Sequence, residues 1–157
     1  MGIKSFQGHQ IGDANAKAEK ITVRDCMSKN MVLFTKDQSV IEVVELLIKN
    51  RISGGPVIDE HQHVIGVISE GDCIKQISES RYYNMPMEDT TIAKYMSKEV
   101  DTISPDLNLF DAANRFLVSK RRRFPVVENK KIIGIVSQKD ILRTALMLKG
   151  TTWKYGV

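Results

Sequence analysis

The chain repeats itself, and that constrains its fold more than any other feature. Met27-Ser28-Lys29 returns as Met96-Ser97-Lys98, an offset of 69 residues that holds to Pro56-Val57 over Pro125-Val126. One residue then drops out of the second copy. From Gly66 over Gly134 the offset is 68, and it holds through Ser69/Ser137 and Asp72/Asp140. A period of this length marks a copied supersecondary unit. The missing residue falls between Asp59 and Val64, where the first copy reads Glu60-His61-Gln62-His63 and the second reads Glu128-Asn129-Lys130-Lys131. A polar surface turn tolerates such a change of length.

The apolar pattern assigns elements to each copy. Val40, Val43, Val44, Leu47 and Ile48 recur at helical spacing, and their partners in the second copy are Leu109, Ala112, Ala113, Phe116 and Leu117. Ser39-x-x-Glu42 and Asn108-x-x-Asp111 read as the capping starts of these helices. Two β runs follow each helix, Pro56–Asp59 with Val64–Ser69, and Phe124–Glu128 with Ile132–Ser137, each pair joined by a polar turn. A second helix begins near Asp72 or Asp140, with Cys73, Ile74 and Ile77 matched by Ile141, Leu142 and Ala145. Short strands at 32–34 and 101–103 precede the first helices. Each copy is therefore β-α-β-β-α, and the fold class is α+β. The units are placed at 21–77 and 91–146, with a polar linker at 78–90, a flexible N-terminal tail at 1–20 and a C-terminal tail at 147–157.

Bulk properties narrow the function. The 157 residues are 42% hydrophobic and 27% charged, enough for a core without disulfides or metal. No apolar run reaches the roughly 18 residues that span a bilayer. The start Met1–Phe6 offers neither a secretory h-region nor the Ser or Thr that myristoylation wants at Phe6, so a cytoplasmic protein is expected. A net charge of +4 does not by itself imply nucleic acid.

The hairpin start Pro56-Val57 and Pro125-Val126, with Gly66-Val67-Ile68-Ser69-Glu70-Gly71-Asp72 and Gly134-Ile135-Val136-Ser137-Gln138-Lys139-Asp140, resembles the CBS domain. Two in tandem are similar to a Bateman module, over about residues 21–146. The resemblance implies two units packed about a pseudo-twofold axis, with clefts that bind AMP, ADP, ATP or, less favoured here, S-adenosylmethionine. It further implies a regulatory role toward an effector protein, a stand-alone member, and a homodimer that forms a disc of four units.

The motif has its own chemistry. Ser69 and Ser137 end strands, and Asp72 and Asp140 stand at helix starts, where free N–H groups and positive potential suit a phosphate. A Ser hydroxyl adds a donor, and an ionised Asp accepts from both hydroxyls of a ribose. Such charged hydrogen bonds are worth roughly 1.5–3 kcal/mol each. From spacing alone, capping is the commoner role of this pair; the resemblance turns the reading toward a ligand. It also points to Arg122 and Arg123, three and two residues before Pro125, as phosphate partners through guanidinium forks. The first copy has Ser53 and Gly54 there, so the clefts should be unequal. Residues 21–77 hold six Lys/Arg and eight Asp/Glu, against eleven and six in 91–146, which agrees. Thr35 and Ser104 are expected to line the clefts or to serve turns.

Other signals carry less. Arg121–Arg123 could instead dock a protein or a nucleic acid, but no nucleic-acid reader motif accompanies them. His61-x-His63 lacks a third ligand, so no metal is expected. Cys26 and Cys73 align with Tyr95 and Ile141, which favours packing over redox chemistry. Tyr82, Tyr83, Trp153 and Tyr155 lie outside the repeats and read as packing or interface residues. Asp72 and Asp140 have no His or carboxylate at a catalytic spacing, and no enzymatic fingerprint appears, so the chain is not read as an enzyme.

Overall fold

The structure is a computed structural model that describes residues 20–84 and 90–152. The tail reading of 1–19, the linker residues 85–89 and Trp153 and Tyr155 lie outside these residues, as do the side chains of Tyr82 and Tyr83. In chain order the elements are α1 (Val23–Cys26), β1 (Phe34–Thr35), α2 (Val40–Asn50), β2 (Gly54–Ile58), β3 (Val64–Ser69), α3 (Glu70–Tyr83), a 3-10 turn (Ile92–Lys94), α4 (Leu109–Ser119), β4 (Arg123–Glu128), β5 (Lys131–Ser137) and α5 (Gln138–Thr152). The fold is α+β, with the duplicated element order that the repeat predicts.

Each strand set is small and ordered alike. β1 runs parallel to β2, with Phe34 opposite Val57, and β2 runs antiparallel to β3. In the second copy β4 pairs with β5, and Ile103 makes a parallel bridge to Val126. The short first strands thus sit later than expected, at 34–35 and at Ile103 alone. The two hairpins differ at their tips for a local reason. Asn129 and Lys130 both have positive φ (50° and 67°), which gives a two-residue turn matched to strand twist. The longer tip of the first copy is organised by Asp59, whose Oδ1 accepts the N–H groups of His61 (2.8 Å) and His63 (2.9 Å).

The compact units do not follow the order of the chain. One gathers the segment up to Asn30 with Thr102–Glu128 and the segment from Ile133 onward; the other holds Met31–Asp101 and Asn129–Ile132. The cause is a pair of crossed leaders. Residues 20–30 precede the first copy but join the core of the second: Val23 is buried with Ile103, Leu109, Phe116, Phe124, Val126 and Val136. The Val23 N–H donates to Leu107 O (2.8 Å), and Ser28 and Ile135 exchange backbone bonds of 2.8 and 2.9 Å. The leader of the second copy does the same for the first. Ile92 and Tyr95 are buried with Phe34, Val40, Leu47, Val57 and Ile68, Ile92 N–H donates to Gln38 O (3.0 Å), and Ser97 and Val67 exchange bonds of 2.9 Å. A sequence period and a packing unit are therefore different divisions of this chain.

The signature glycines make the crossing possible. A Cβ on Gly66 would meet Ser97 O at 2.8 Å, and one on Gly134 would meet Met27 Sδ at 2.6 Å and Ser28 O at 3.0 Å. The recurrent Met-Ser thus packs on the glycine of the other copy.

Helix ends follow local chemistry. Ser39 Oγ accepts the Glu42 N–H (3.1 Å) and Asn108 Oδ1 accepts the Asp111 N–H (2.8 Å), as the capping starts predict. Arg51 and Lys120, which are equivalent in the repeat, end α2 and α4 in the left-handed region (φ 53° and 55°). α3 continues through 78–83, read from sequence as linker, and α5 through 147–152, read as tail. The expected helix stripes are narrower than drawn. Val40, Val43, Leu47, Leu109, Ala112, Phe116, Cys73 and Ile141 are buried, but Ile48, Leu117, Ile74, Ile77, Leu142 and Ala145 are exposed. Among the described residues, no helix is long and apolar enough to cross a membrane.

Candidate functional site

The Ser-x-x-Asp pairs form the same closed arrangement in both copies. Ser69 caps α3: its N–H and hydroxyl both donate to Asp72 Oδ2 (2.9 Å each), and the Asp72 N–H donates back to Ser69 Oγ (3.3 Å). Ser137 and Asp140 repeat it on α5 at 2.8, 2.9 and 3.2 Å. This is the reciprocal capping that satisfies first-turn amides. The four residues are half-buried, so the pairs remain open to solvent on one side. One oxygen of each carboxylate is committed to its cap. The other differs between copies: Asp140 Oδ1 takes an ion pair from Arg143 (3.4 Å), and none is formed by Asp72 among the described residues.

A second backbone link brings the strand entry to the helix start. The Gln138 N–H donates to Arg122 O (3.1 Å), and Gln138 Nε2 donates to Arg121 O (3.1 Å). In the first copy the Glu70 N–H donates to Ser53 O (2.9 Å). The residues three before the proline thus lie against the first residue of the helix in both copies. In the second copy this backbone link joins the strand entry that bears exposed Arg122 and Arg123 to the helix that starts after Ser137. In the first copy Gly54 pairs with Ser69, and a Cβ there would stand 2.5 Å from Ile68 O. That backbone approach leaves no room for a side chain where the second copy has Arg123. The two strand entries therefore differ in steric room as well as in charge.

Thr35 and Ser104 are both exposed. Ser104 Oγ accepts the Asp106 N–H (3.2 Å), a turn role, and the Thr35 N–H donates to Gln38 Oε1 (2.9 Å). Cys73 is buried and Cys26 half-buried, and burial raises both thiols above their ordinary pKa, which fits packing. His61 and His63 stand with ring centroids 5.8 Å apart; among the described residues no group of three or more His, Cys, Asp or Glu is placed to hold a metal.

Sequence reasoning missed three features. Arg24 pairs with Glu128 and with Asp106 (3.5 Å), pinning the first leader to its unit. Gln76 is fully buried with neither amide atom hydrogen-bonded to protein. Arg143 reaches Asp140, one helical turn back, and that (i, i+3) spacing was visible in the sequence.

Known proteins share this fold. The CBS domain model matches residues 23–79 and again 92–146. Uncharacterized protein MJ1426 of Methanocaldococcus jannaschii is 29% identical over 87% of this chain and 98% of its own length. CBS domain-containing protein CBSX2, chloroplastic, of Arabidopsis thaliana is 33% identical over 87% of this chain and 68% of its own. The crystal structure of CBSX2 in complex with AMP superposes with a TM-score of 0.71 at 30% identity, over 82% of this chain and 98% of that one. The CBS domain pair of protein MJ0100, in complex with 5′-methylthioadenosine and S-adenosyl-L-methionine, gives a TM-score of 0.65 at 27% identity over 78% and 98%. With two matched units, each carrying its Ser-x-x-Asp helix start, the chain belongs to the CBS domain family as a tandem pair.

Proposed function

We propose that this chain is a regulatory module that binds a phosphorylated adenosine, of the AMP, ADP or ATP class, and carries out no catalysis of its own. One observation supports the reading: Arg122 O accepts the Gln138 N–H, so the strand entry that bears Arg122 and Arg123 adjoins, through its backbone, the helix that starts after Ser137. Guanidinium groups, helix amides and a carboxylate together ask for a ligand with phosphate at one end and ribose hydroxyls at the other. S-Adenosylmethionine suits it less, because its sulfonium carries a positive charge and it has no phosphate. The solved complex of CBSX2 with AMP supports this ligand class, and that of MJ0100 with 5′-methylthioadenosine and S-adenosyl-L-methionine supports an adenosine-containing ligand more broadly.

The capping bonds set the terms of binding. The Ser137 hydroxyl already donates to Asp140, so it reaches a phosphate only by turning away. Asp140 meets a ribose through Oδ1, in competition with Arg143. The first-copy site, with Ser53 and Gly54 at its strand entry, has no cation in those places. A homodimer, an unidentified effector that reads the bound state and a cytoplasmic location belong to the same proposal. Binding would bias which packing of dimer or effector prevails, through its differential affinity for the two.

Thermal denaturation with AMP, ADP, ATP and S-adenosylmethionine tests it. A ligand that binds only the folded chain should add about 1.4 kcal/mol at ten times its Kd. AMP-class ligands should stabilise more than S-adenosylmethionine. No stabilisation by any of them near millimolar concentration, with salt-steep binding to RNA or DNA instead, would replace the sensor by docking through Arg121–Arg123.

A further inference from the structure

The inward face of α3 is polar where that of α5 is apolar. Cys73, Gln76 and Ser80 recur at helical spacing on α3 and are 3%, 0% and 7% exposed. Their equivalents on α5 are Ile141, Thr144 and Leu148, of which Ile141 and Leu148 pack into the core of their unit. Thr144 finds its partner on its own helix: the hydroxyl donates to Asp140 O (2.8 Å). It also shares a hydrogen bond with the Cys26 thiol of the leader. Gln76 has no such outlet. It is fully buried, and neither Oε1 nor Nε2 is hydrogen-bonded to protein. The neighbouring hydroxyls are engaged elsewhere. That of Ser80 donates to Ile77 O (2.8 Å), and that of Tyr95, the repeat equivalent of Cys26, donates to Glu79 Oε2 (2.8 Å). Both hydroxyl oxygens keep lone pairs with which to accept.

A primary amide offers two donor hydrogens and two acceptor lone pairs. Burying all of them unbonded is costly, and native interiors rarely do so. The amide therefore prescribes its guest. A cation suits Oε1 and is repelled by the Nε2 hydrogens; an anion suits Nε2 and is repelled by Oε1. The guest is uncharged, and it both donates and accepts. It is also small, because the core of this unit is filled by Phe34, Val40, Val43, Leu47, Ile92 and Tyr95. Room for it comes from the short side chains of Cys73 and Ser80, one helical turn to either side, where α5 has Ile141 and Leu148. Water meets all of these terms and makes about three hydrogen bonds at such sites. We propose that Gln76 holds an internal water beneath α3, a binding site that the first copy has and the second lacks. The lone pairs of Ser80 and Tyr95 are open to the remaining hydrogen of that water. The water thus helps seat α3, whose start carries Ser69 and Asp72, on the leader of the second copy.

Crystallography of the full chain without nucleotide tests this apart from the ligand reading. The expected result is an ordered water within hydrogen-bond distance of Gln76 Oε1 or Nε2, lost in Gln76→Leu while Cys73, Ser80 and Tyr95 stay in place. An amide bonded directly to protein, or one that is dry, overturns the proposal. So does a water that persists at the same place in Gln76→Leu, since the amide is then not what holds it. A matching water at Thr144 overturns the contrast between the copies. Gln76→Thr, which installs the residue of the second copy, keeps the test open if the leucine variant does not fold. Its hydroxyl should bond Asp72 O as that of Thr144 bonds Asp140 O, and the water should again be lost. In solution, magnetic relaxation dispersion of the water oxygen counts waters of long residence. The wild type should show more of them than either variant, and an equal count contradicts the site.

Discussion

The hydroxyl of Ser137 donates to Asp140 Oδ2 and accepts the Asp140 N–H, so the residues assigned to a ligand already hold the start of a helix. The unliganded chain should feel the loss of that cap. Ser137→Ala is expected to lower stability by about 1 kcal/mol in urea denaturation without ligand; an unchanged midpoint would mean that the cap contributes nothing. The recurrence of Ser69/Asp72 and Ser137/Asp140 was legible in the sequence because both ends of the bond are polar and fixed in spacing. The burial of Gln76 was not, because nothing local distinguishes it from the exposed Lys75 beside it; burial is set by what packs on the helix. Arg143 stood one helical turn from Asp140, and helix geometry alone could have paired them.

At the scale of elements, the hairpins carry the difference between the copies. Gly54 lies against the carbonyl of Ile68 at a distance that admits no Cβ, so Gly54→Ala must push β2 off β3. It is expected to destabilise the chain by about 1–3 kcal/mol, read by urea denaturation; a neutral effect would show that the strand entry is plastic enough to take an arginine as well. The first hairpin tip has an acid dependence of its own. The His63 N–H foremost, and the His61 N–H, hold the Asp59 carboxyl below its ordinary pKa against the opposing effect of burial. A depressed folded pKa gives stability that is present above the unfolded value of about 3.9 and is lost as pH falls through the folded one. Asp59→Ala should therefore flatten the acid limb of the stability profile below about pH 4, and an unaltered limb would contradict this. Period and turn chemistry made the helices and hairpins readable. The extent of α3 was not, because Ser78, Glu79 and Ser80 have the composition of a linker and are held helical by Tyr95, whose hydroxyl donates to Glu79 (2.8 Å), and by the burial of Ser80.

The whole molecule is a duplication with crossed leaders and unlike strand entries. Matching glycine and methionine in each copy was visible in the sequence; that Met27 meets Gly134, not Gly66, was not, since a repeat fixes which residues correspond and leaves open which copy they pack on. The duplicated caps and the unduplicated arginines lead to the central proposal, that the second copy holds the phosphate of an adenine nucleotide. Titration calorimetry of AMP into the wild-type chain and into an Arg122→Ala/Arg123→Ala variant measures it directly. Both side chains are exposed, so the unliganded variant should melt as the parent does. The expected result is saturable AMP binding by the wild type, weakened at least tenfold in the variant, the loss of about 1.4 kcal/mol or more of charge-assisted hydrogen bonding. Equal affinity in the two proteins, or no binding by either, would contradict the account.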